Sequence, residues 1–533
     1  MFETLGTIDS TVFIGYIVAM MAIGVWIAYR NKAKNSKDYF LADKSLPWWA
    51  VGGSLIASNI SAEQMIGMAG SGFAIGLAIS SYELMAAATL LIVAKFFLPI
   101  YLKNDIYTMP QFLEKRFGTS IKTILAVMWI MLLIGVNITS LLYLGALAME
   151  TIMGVPLMVG IIGLAIYSAT FSIFGGLRAV VWTDVIQVVV LILGGTIASI
   201  AILNAVGNGS GIFAGIQTLI AEVPEKFDMI FEKDTMYTDV ATGESKSAYD
   251  LLPGISILIG GMWIANLYYW GTNQYIIQRA LAAKNIREAQ KGVAFAAVIK
   301  LFIPLIVVIP GIAAFYLGAD ITKADQAYPW VLNNFVGTGF KGIAIAALVA
   351  AIGSSLSSML NSTSTMFTLD IYKPLFNKEA NENKLVKVGQ VAASVALVLG
   401  ILIAPALASA EQMFNYIQEY TGFLSPGILA VFMFGMFWKK TTTNAAFVSM
   451  IVSFITSIVL KVYFAYIPFI DRMGIVFIIS ALLLVAISLA MPENKENQKT
   501  VVTEKGMFDT SMTFNVTSLF VVIVLAIIYI AYW

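Results

Sequence analysis

Five polar residues sit where a membrane-crossing segment should carry none. Ser58, Asn59, Ser61, Glu63 and Gln64 lie within PWWAVGGSLIASNISAEQMIGMAGSGFAIGL, residues 47–77, a run otherwise apolar enough to cross a bilayer. Hydrocarbon has no partner for a freed backbone carbonyl or a carboxylate, so such a segment persists only against protein or a water-filled cavity. Amides and a carboxylate bind hydroxyl groups, and freed carbonyls ligate hard cations. The chemistry on offer is non-covalent: a polar solute and a cation held at membrane depth, beside a spanning helix broken at its midpoint. A Gly/Ser-rich packing helix with ordinary interhelical hydrogen bonds is the alternative. The acid lying next to an amide and a break favours a binding site.

More groups of the same kind occur at membrane depth. Glu83 lies just inside the next apolar run, and Asn137 interrupts WIMLLIGVNITSLLYLG. Asn266 falls in a second broken run, LLPGISILIGGMWIANLYYWGTNQYIIQR, with Gly271 and Asn273. Gln418 and Glu419 belong to YIQEYTGFLSPG. Lys300 is deep in FAAVIKLFIPL, where a bare charge costs about 3 kcal/mol or more. Tyr82, Tyr269 and Trp270 add flat apolar faces. Each polar residue alone could be a satisfied structural group. Together, aromatic faces and a fan of hydrogen bonds describe a sugar site. Farther along, Ser354, Ser355, Ser357 and Ser358 crowd one helical turn of AIAALVAAIGSSLSSMLNSTSTMFTLD. Small residues there also suit close helix packing. Paired with the break at residues 57–60, their hydroxyls instead suggest a sodium site, since sodium prefers oxygen ligands. Asp184, following Trp182 and Thr183, reads as a helix N-cap.

The elements that must position these groups are transmembrane helices. The chain is 59% hydrophobic and 12% charged, with neither cysteine nor histidine. That composition excludes disulfides, Cys/His metal sites, cysteine nucleophiles and Ser-His-Asp triads. A net charge of +1 leaves no nucleic-acid footprint. About fourteen apolar stretches of bilayer length are expected, at 11–29, 47–72, 78–101, 121–150, 155–174, 184–206, 252–277, 289–317, 338–370, 385–408, 412–437, 442–465, 472–491 and 514–533. The first has no basic region ahead of it and reads as a retained span. Odd loops hold most of the basic residues: Arg30, Lys32, Lys34, Lys37 and Lys44 in the first, Lys103, Lys115 and Arg116 in the third, Arg279, Lys284 and Arg287 in the seventh. The positive-inside rule then puts odd loops in the cytoplasm and both termini outside. The long outer loop, 207–251, reads as a solvated lid or spacer.

Two broken spans five apart suggest inverted repeats of the leucine-transporter type, with the site at their interface. The expected organisation is a first helix and loop (1–46), repeat one (47–206), the outer loop (207–251), repeat two (252–437) and three further helices (438–533). The fold class is all-α integral membrane protein. A channel would need ring-like charge repeats along a pore, and a sensor would need a soluble signalling domain. Neither is visible, and no covalent step or resident cofactor is required.

GGLRAVVWTDVIQ at 175–187 resembles the hallmark of the sodium:solute symporter family. SNISAEQMIGMAGSGFAIGLAISSYE, WIANLYYWGTNQYIIQRALAAK and SSLSSMLNSTSTMFTLDIYK extend the resemblance from about residue 36 to residue 440 and more weakly beyond. It is strongest toward the bacterial sodium/galactose and sodium/glucose-type carriers. The resemblance implies sodium-driven import of a hexose across a bacterial inner membrane by a monomer or weak oligomer, with sodium, sugar and the lipid bilayer as partners. It implies a sugar site of Gln64, Glu83, Asn266, Lys300 and Gln418, with Asn59 and Asn137 nearby and Tyr269 closing the cytoplasmic side. It implies sodium ligands in the carbonyls of Ala57, Ile60 and Ala351 and the hydroxyls of Ser354 and Ser355, with Asp184 near the sodium exit path. Where the galactose carriers have a serine three residues past the site glutamate, this chain has Ala86, so a hydroxyl partner for the sugar is missing. Inositol, sialic acid, proline and pantothenate carriers share the implied fold, and proline carriers are not expected to keep this Gln/Glu/Asn/Lys set.

Overall fold

A backbone surrounded by lipid has to satisfy its own hydrogen bonds, and the chain does so almost entirely with helices. The computed structural model describes residues 5–30, 35–409, 412–493, 501 and 504–533. Lys32 and Lys34 of the first basic loop lie outside the described residues. Among those described, strands are limited to a hairpin pairing Met236–Thr238 with Ser245–Ser247 in the outer loop.

Among the described residues, nine helices are long and apolar enough to span a bilayer, or eleven when two bent pairs are each counted as one. The pairs are Ile286–Lys300 with Ile303–Tyr316, bent by 43°, and Met413–Gly422 with Ser425–Phe437, bent by 47°. Three sequence-predicted spans fall outside that count. The 47–72 run stops at the end of Trp48–Asn59, passes through extended Ile60, and resumes as a π-turn, Glu63–Met68. The 155–174 run is the first part of the helix Leu157–Val206, ahead of its break at Gly176. The 252–277 run divides into Ser256–Ile259, Gly261–Gly271 and Gln274–Leu281.

Two helical runs are too long for one crossing. Glu63–Lys103 has 41 residues, about 60 Å at helical rise and twice the bilayer core. Its direction changes at Gly76, whose φ of +77° suits glycine. Leu157–Val206 has 50 residues and is broken at Gly176, φ +59°. A side chain at Gly176 would also strike the Tyr39 carbonyl, 2.5 Å from the Cβ position.

The structure corrects several expectations. Asp184 is no N-cap: its helix is already running from Gly175, so the carboxylate projects from mid-helix. Asn266 does not interrupt its span; it lies within Gly261–Gly271, and the breaks fall at Gly260 and at Thr272. Asn137 sits in a π-turn, Leu133–Ile138, of a helical run continuous from Thr119 to Met153. Two loop cations are structural instead of solvated. Arg279 is buried at the core, and Arg116 donates to the carbonyls of Gly435, Lys439 and Thr441 at the end of Ser425–Phe437.

The outer loop is fastened as well as solvated. Lys226 Nζ donates to the carbonyls of Phe73 (3.2 Å) and Ala74 (2.7 Å), capping Ala69–Ile75, in the second half of the broken span. The Met229 N–H donates to the Tyr532 carbonyl at 2.8 Å. Lys341–Met366, which carries the serine cluster, is almost wholly buried at the centre and packs most extensively on Leu157–Val206.

Candidate functional site

The break at Ile60 and Ser61 is held open by side chains where helical bonds are missing. Gln64 Oε1 accepts from both the N–H and the hydroxyl of Ser61, each at 3.0 Å, and Ser61 Oγ accepts the Glu63 N–H at 3.1 Å. This local cap uses Gln64's oxygen and leaves its amide NH2 free to donate.

Around this break the structure assembles a cavity of about 50 Å³, room for roughly four waters. Asn59, Gln64, Tyr82, Glu83, Asn137, Asn266, Tyr269, Trp270 and Gln418 all line it. They come from spans far apart in sequence, and each was legible as a polar or aromatic residue out of place in an apolar run. Lys300 does not reach the wall. It is fully buried behind it, donating to Glu83 Oε2 and Asn59 Oδ1, with Nζ 5.1 Å from the Trp270 ring centre. Asn59 Nδ2 donates to the Tyr269 hydroxyl at 3.0 Å, and the Tyr275 hydroxyl meets Tyr269 at 2.7 Å. One polar chain thus links Glu83, Lys300, Asn59, Tyr269 and Tyr275. Asn266 turns part of its amide inward, Nδ2 to the Met262 carbonyl at 3.2 Å. Glu419 is outside the site: its Oε1 accepts from Lys461 and Arg472, both at 2.6 Å.

Sequence reasoning missed Phe414, Thr421 and Asn273, which also line the cavity. Phe414 packs edge-on against Tyr82, ring centres 5.0 Å apart. It precedes Gln418 by four residues on one helix, so the i, i+4 spacing was the available signal. Ala86 lines the cavity where the missing hydroxyl would stand.

The serine cluster forms a second, separate arrangement. Ser355 Oγ lies 2.9 Å from the Ser58 carbonyl and 3.5 Å from that of Ala57, so it meets the broken end of Trp48–Asn59. Ala57, Ile60 and Ala351 are fully buried. Ser354 turns to Asp184, donating to Oδ1 at 2.6 Å. Asp184 Oδ2 accepts from Ser54 at 2.6 Å and Ser58 at 3.3 Å, with the Arg279 guanidinium 3.7 Å away. Arg279 also donates to Ser358. The structure therefore brings Ser355 and Ala57 together and groups Ser354 with Asp184. Arg279 and Ser54 went unrecognised as members of this cluster, and a charged residue inside the IIQR helix was their signal.

The sodium:solute symporter family model matches residues 39–453. The chain is 49% identical to a sodium/glucose cotransporter of Vibrio parahaemolyticus over 99% of each chain. It is 34% identical to the human sodium/myo-inositol cotransporter 2 over 82% of this chain and 67% of that one. Among solved structures, an outward-open sodium-coupled sialic acid symporter with substrate bound matches with a TM-score of 0.79 at 25% identity, covering 92% of this chain and 99% of the other. A nucleobase-cation-symport-1 transporter in a closed conformation shares the fold alone, with a TM-score of 0.54 at 14% identity over 88% and 98%. These neighbours have the leucine-transporter fold. With a family model covering most of its length and a full-length relative at this identity, the chain belongs to the sodium:solute symporter family.

Proposed function

We propose that this chain is a sodium-driven symporter importing a hexose, glucose or galactose, by alternating access. The observation that carries this reading is the cavity beside the broken span, where the amides of Gln64, Asn137, Asn266 and Gln418, the carboxylate of Glu83 and the rings of Tyr82 and Trp270 converge. Amide and carboxylate groups pair with vicinal hydroxyls, and the rings cover an apolar sugar face. The cavity is smaller than a pyranose, so sugar entry requires the flanking helices to separate. In this reading the chain has fourteen spans, with inverted five-helix repeats at 47–206 and 252–437, and lies in a bacterial inner membrane with both termini outside.

Sodium is the coupling ion that the family implies. Its site would use the carbonyls of Ala57, Ile60 and Ala351 and the hydroxyls of Ser354 and Ser355. Ser355 already bridges the central helix to the broken end, and this contact supports the assignment. A cation there fixes the two elements together and orders Asn59, the next residue of the chain, which holds Lys300 and Tyr269. Sugar then binds more tightly with sodium present, and by reciprocity sodium binds more tightly with sugar. The inward gradient, aided by about 2.3 kcal/mol per charge per 100 mV, drives sugar uphill. Tyr269, tied to Asn59 and Tyr275, is the inner gate.

Sodium-driven uptake in proteoliposomes across glucose, galactose, myo-inositol and sialic acid tests the proposal. Saturable hexose accumulation that collapses without sodium is expected. Uptake of inositol or sialic acid in place of both hexoses would overturn it.

A further inference from the structure

Lys300 neutralises Glu83, which leaves a second carboxylate in the cavity. Glu63 is 5% exposed, lines the cavity, and its Oε1 is buried without a hydrogen-bond partner. No lysine or arginine is among the described residues lining that wall. In its ionised form Glu63 adds a negative charge that Lys300, paired with Glu83, does not balance. A buried carboxylate without a partner is costly, so its full interaction waits for a bound cation.

The surrounding groups decide which cation fits. A hard metal ion needs about six oxygen ligands. Three side-chain oxygens of the wall are already engaged: Gln64 Oε1 by Ser61, Asn59 Oδ1 and Glu83 Oε2 by Lys300. Beside Glu63 Oε1, the buried, unpartnered oxygens of residues lining the wall are the hydroxyls of Tyr82 and Ser425. Three acceptors among aromatic rings match the three N–H donors of an ammonium group on a ring-shaped solute and fall short of the shell a hard ion needs. The geometry points to a protonated aminohexose as a substrate of this carrier, with its ammonium against Glu63 and its ring in the hexose position. The inference rests on the sugar reading above and deepens it.

The test is competition against sodium-driven labelled glucose uptake by the full chain in proteoliposomes. The competitors are 2-amino-2-deoxyglucose, 3-amino-3-deoxyglucose and 6-amino-6-deoxyglucose, each paired with the corresponding neutral deoxyglucose. The readout is the ratio of inhibition constants within each pair, for the unmodified chain and for Glu63→Gln. At least one amine should compete about tenfold better than its neutral partner, the gain expected of one charged hydrogen bond. Glu63→Gln should reduce that ratio to near one. Three ratios at or below one in the unmodified chain would overturn the inference, even if the variant does not fold. A ratio preserved in a folded Glu63→Gln protein would overturn it too. Absence of labelled glucose uptake would instead fail the hexose reading, and direct amine-driven displacement of bound probe would then decide Glu63 separately.

Discussion

The cavity and the serine cluster both hold a buried carboxylate opposite a buried cation, yet their hydrogen bonding differs. Asp184 receives three hydroxyl donors and stands 3.7 Å from Arg279. In the cavity, Glu83 is paired with Lys300 while Glu63 Oε1 and the Tyr82 hydroxyl have no partner. Buried polar groups in folded proteins are nearly always satisfied. A site saturated by its own side chains is complete before anything binds, whereas one left partly unpaired is completed by its occupant. In the proposed reading the cavity takes the exchanging solute, the saturated Asp184 with Arg279 holds the central helix against its neighbours, and Ser355 at the broken end is left for the ion.

The largest expected effect comes from unbalancing the cavity. Glu83→Ala strands the Lys300 ammonium and should cost about 3–5 kcal/mol of stability together with loss of sugar binding. Adding Lys300→Met should restore much of the thermal stability but not the sugar binding. Recovery of binding in the double variant would show that neither residue touches sugar. At the other region, Ser355→Ala should raise the sodium concentration for half-maximal uptake by about tenfold, with little change in melting temperature. Unaltered sodium dependence would move the ion site away from Ser355. Tyr269→Ala cuts the chain of hydroxyls between Asn59 and Tyr275, so net sugar accumulation should fall several-fold while equilibrium sugar binding changes less. Equal losses in both would make Tyr269 a binding group and not a gate.

The contrast was only half legible in the sequence. Residues such as Gln64, Glu83 and Gln418 announce themselves because each stands alone in an apolar run, where burial demands a partner. Their pairing was not legible, because partners such as Lys300 and Asn59 are joined by the packing of distant helices. Arg279 resembled a solvated loop cation because it follows an apolar run near a basic loop; its burial depends on the position of Asp184. Helix continuity was similarly hidden: glycine and asparagine signal breaks, yet Asn266 is accommodated within a helix by bonding to the carbonyl of Met262.

Two smaller effects sharpen the comparison further. Ala86 offers no hydroxyl to the cavity, and an absent partner rejects a stereoisomer weakly. Glucose and galactose should therefore compete within about tenfold of each other, and Ala86→Ser should widen the gap; strict discrimination by the unmodified chain would place recognition elsewhere in the pocket. Asp325, in the loop following Ile303–Tyr316, has one recorded donor, the Met413 N–H at 3.1 Å, where Asp184 has three. Burial pushes its carboxyl from 3.8 up to about 7. The folded chain therefore holds that proton more tightly than the unfolded chain. Stability from this group is fully present at pH below about 4, declines as pH rises to about 7, and is then flat. Asp325→Asn should flatten that slope in the melting temperature, and an unchanged slope would assign it to other buried acids.

The grip of Lys226 on the Phe73 and Ala74 carbonyls has a practical consequence. Gly76 presses on the same residue so closely that a Cβ there would lie 2.3 Å from the Lys226 carbonyl oxygen. The outer loop and the second half of the broken helix are thus coupled, and a probe on one reports the displacement of the other. Because the chain contains no cysteine, a single Lys233→Cys substitution on the exposed part of that loop accepts a spectroscopic label without removing any native thiol. A buried broken helix becomes readable from an exposed loop residue, in the working protein, without a reporter inside the cavity.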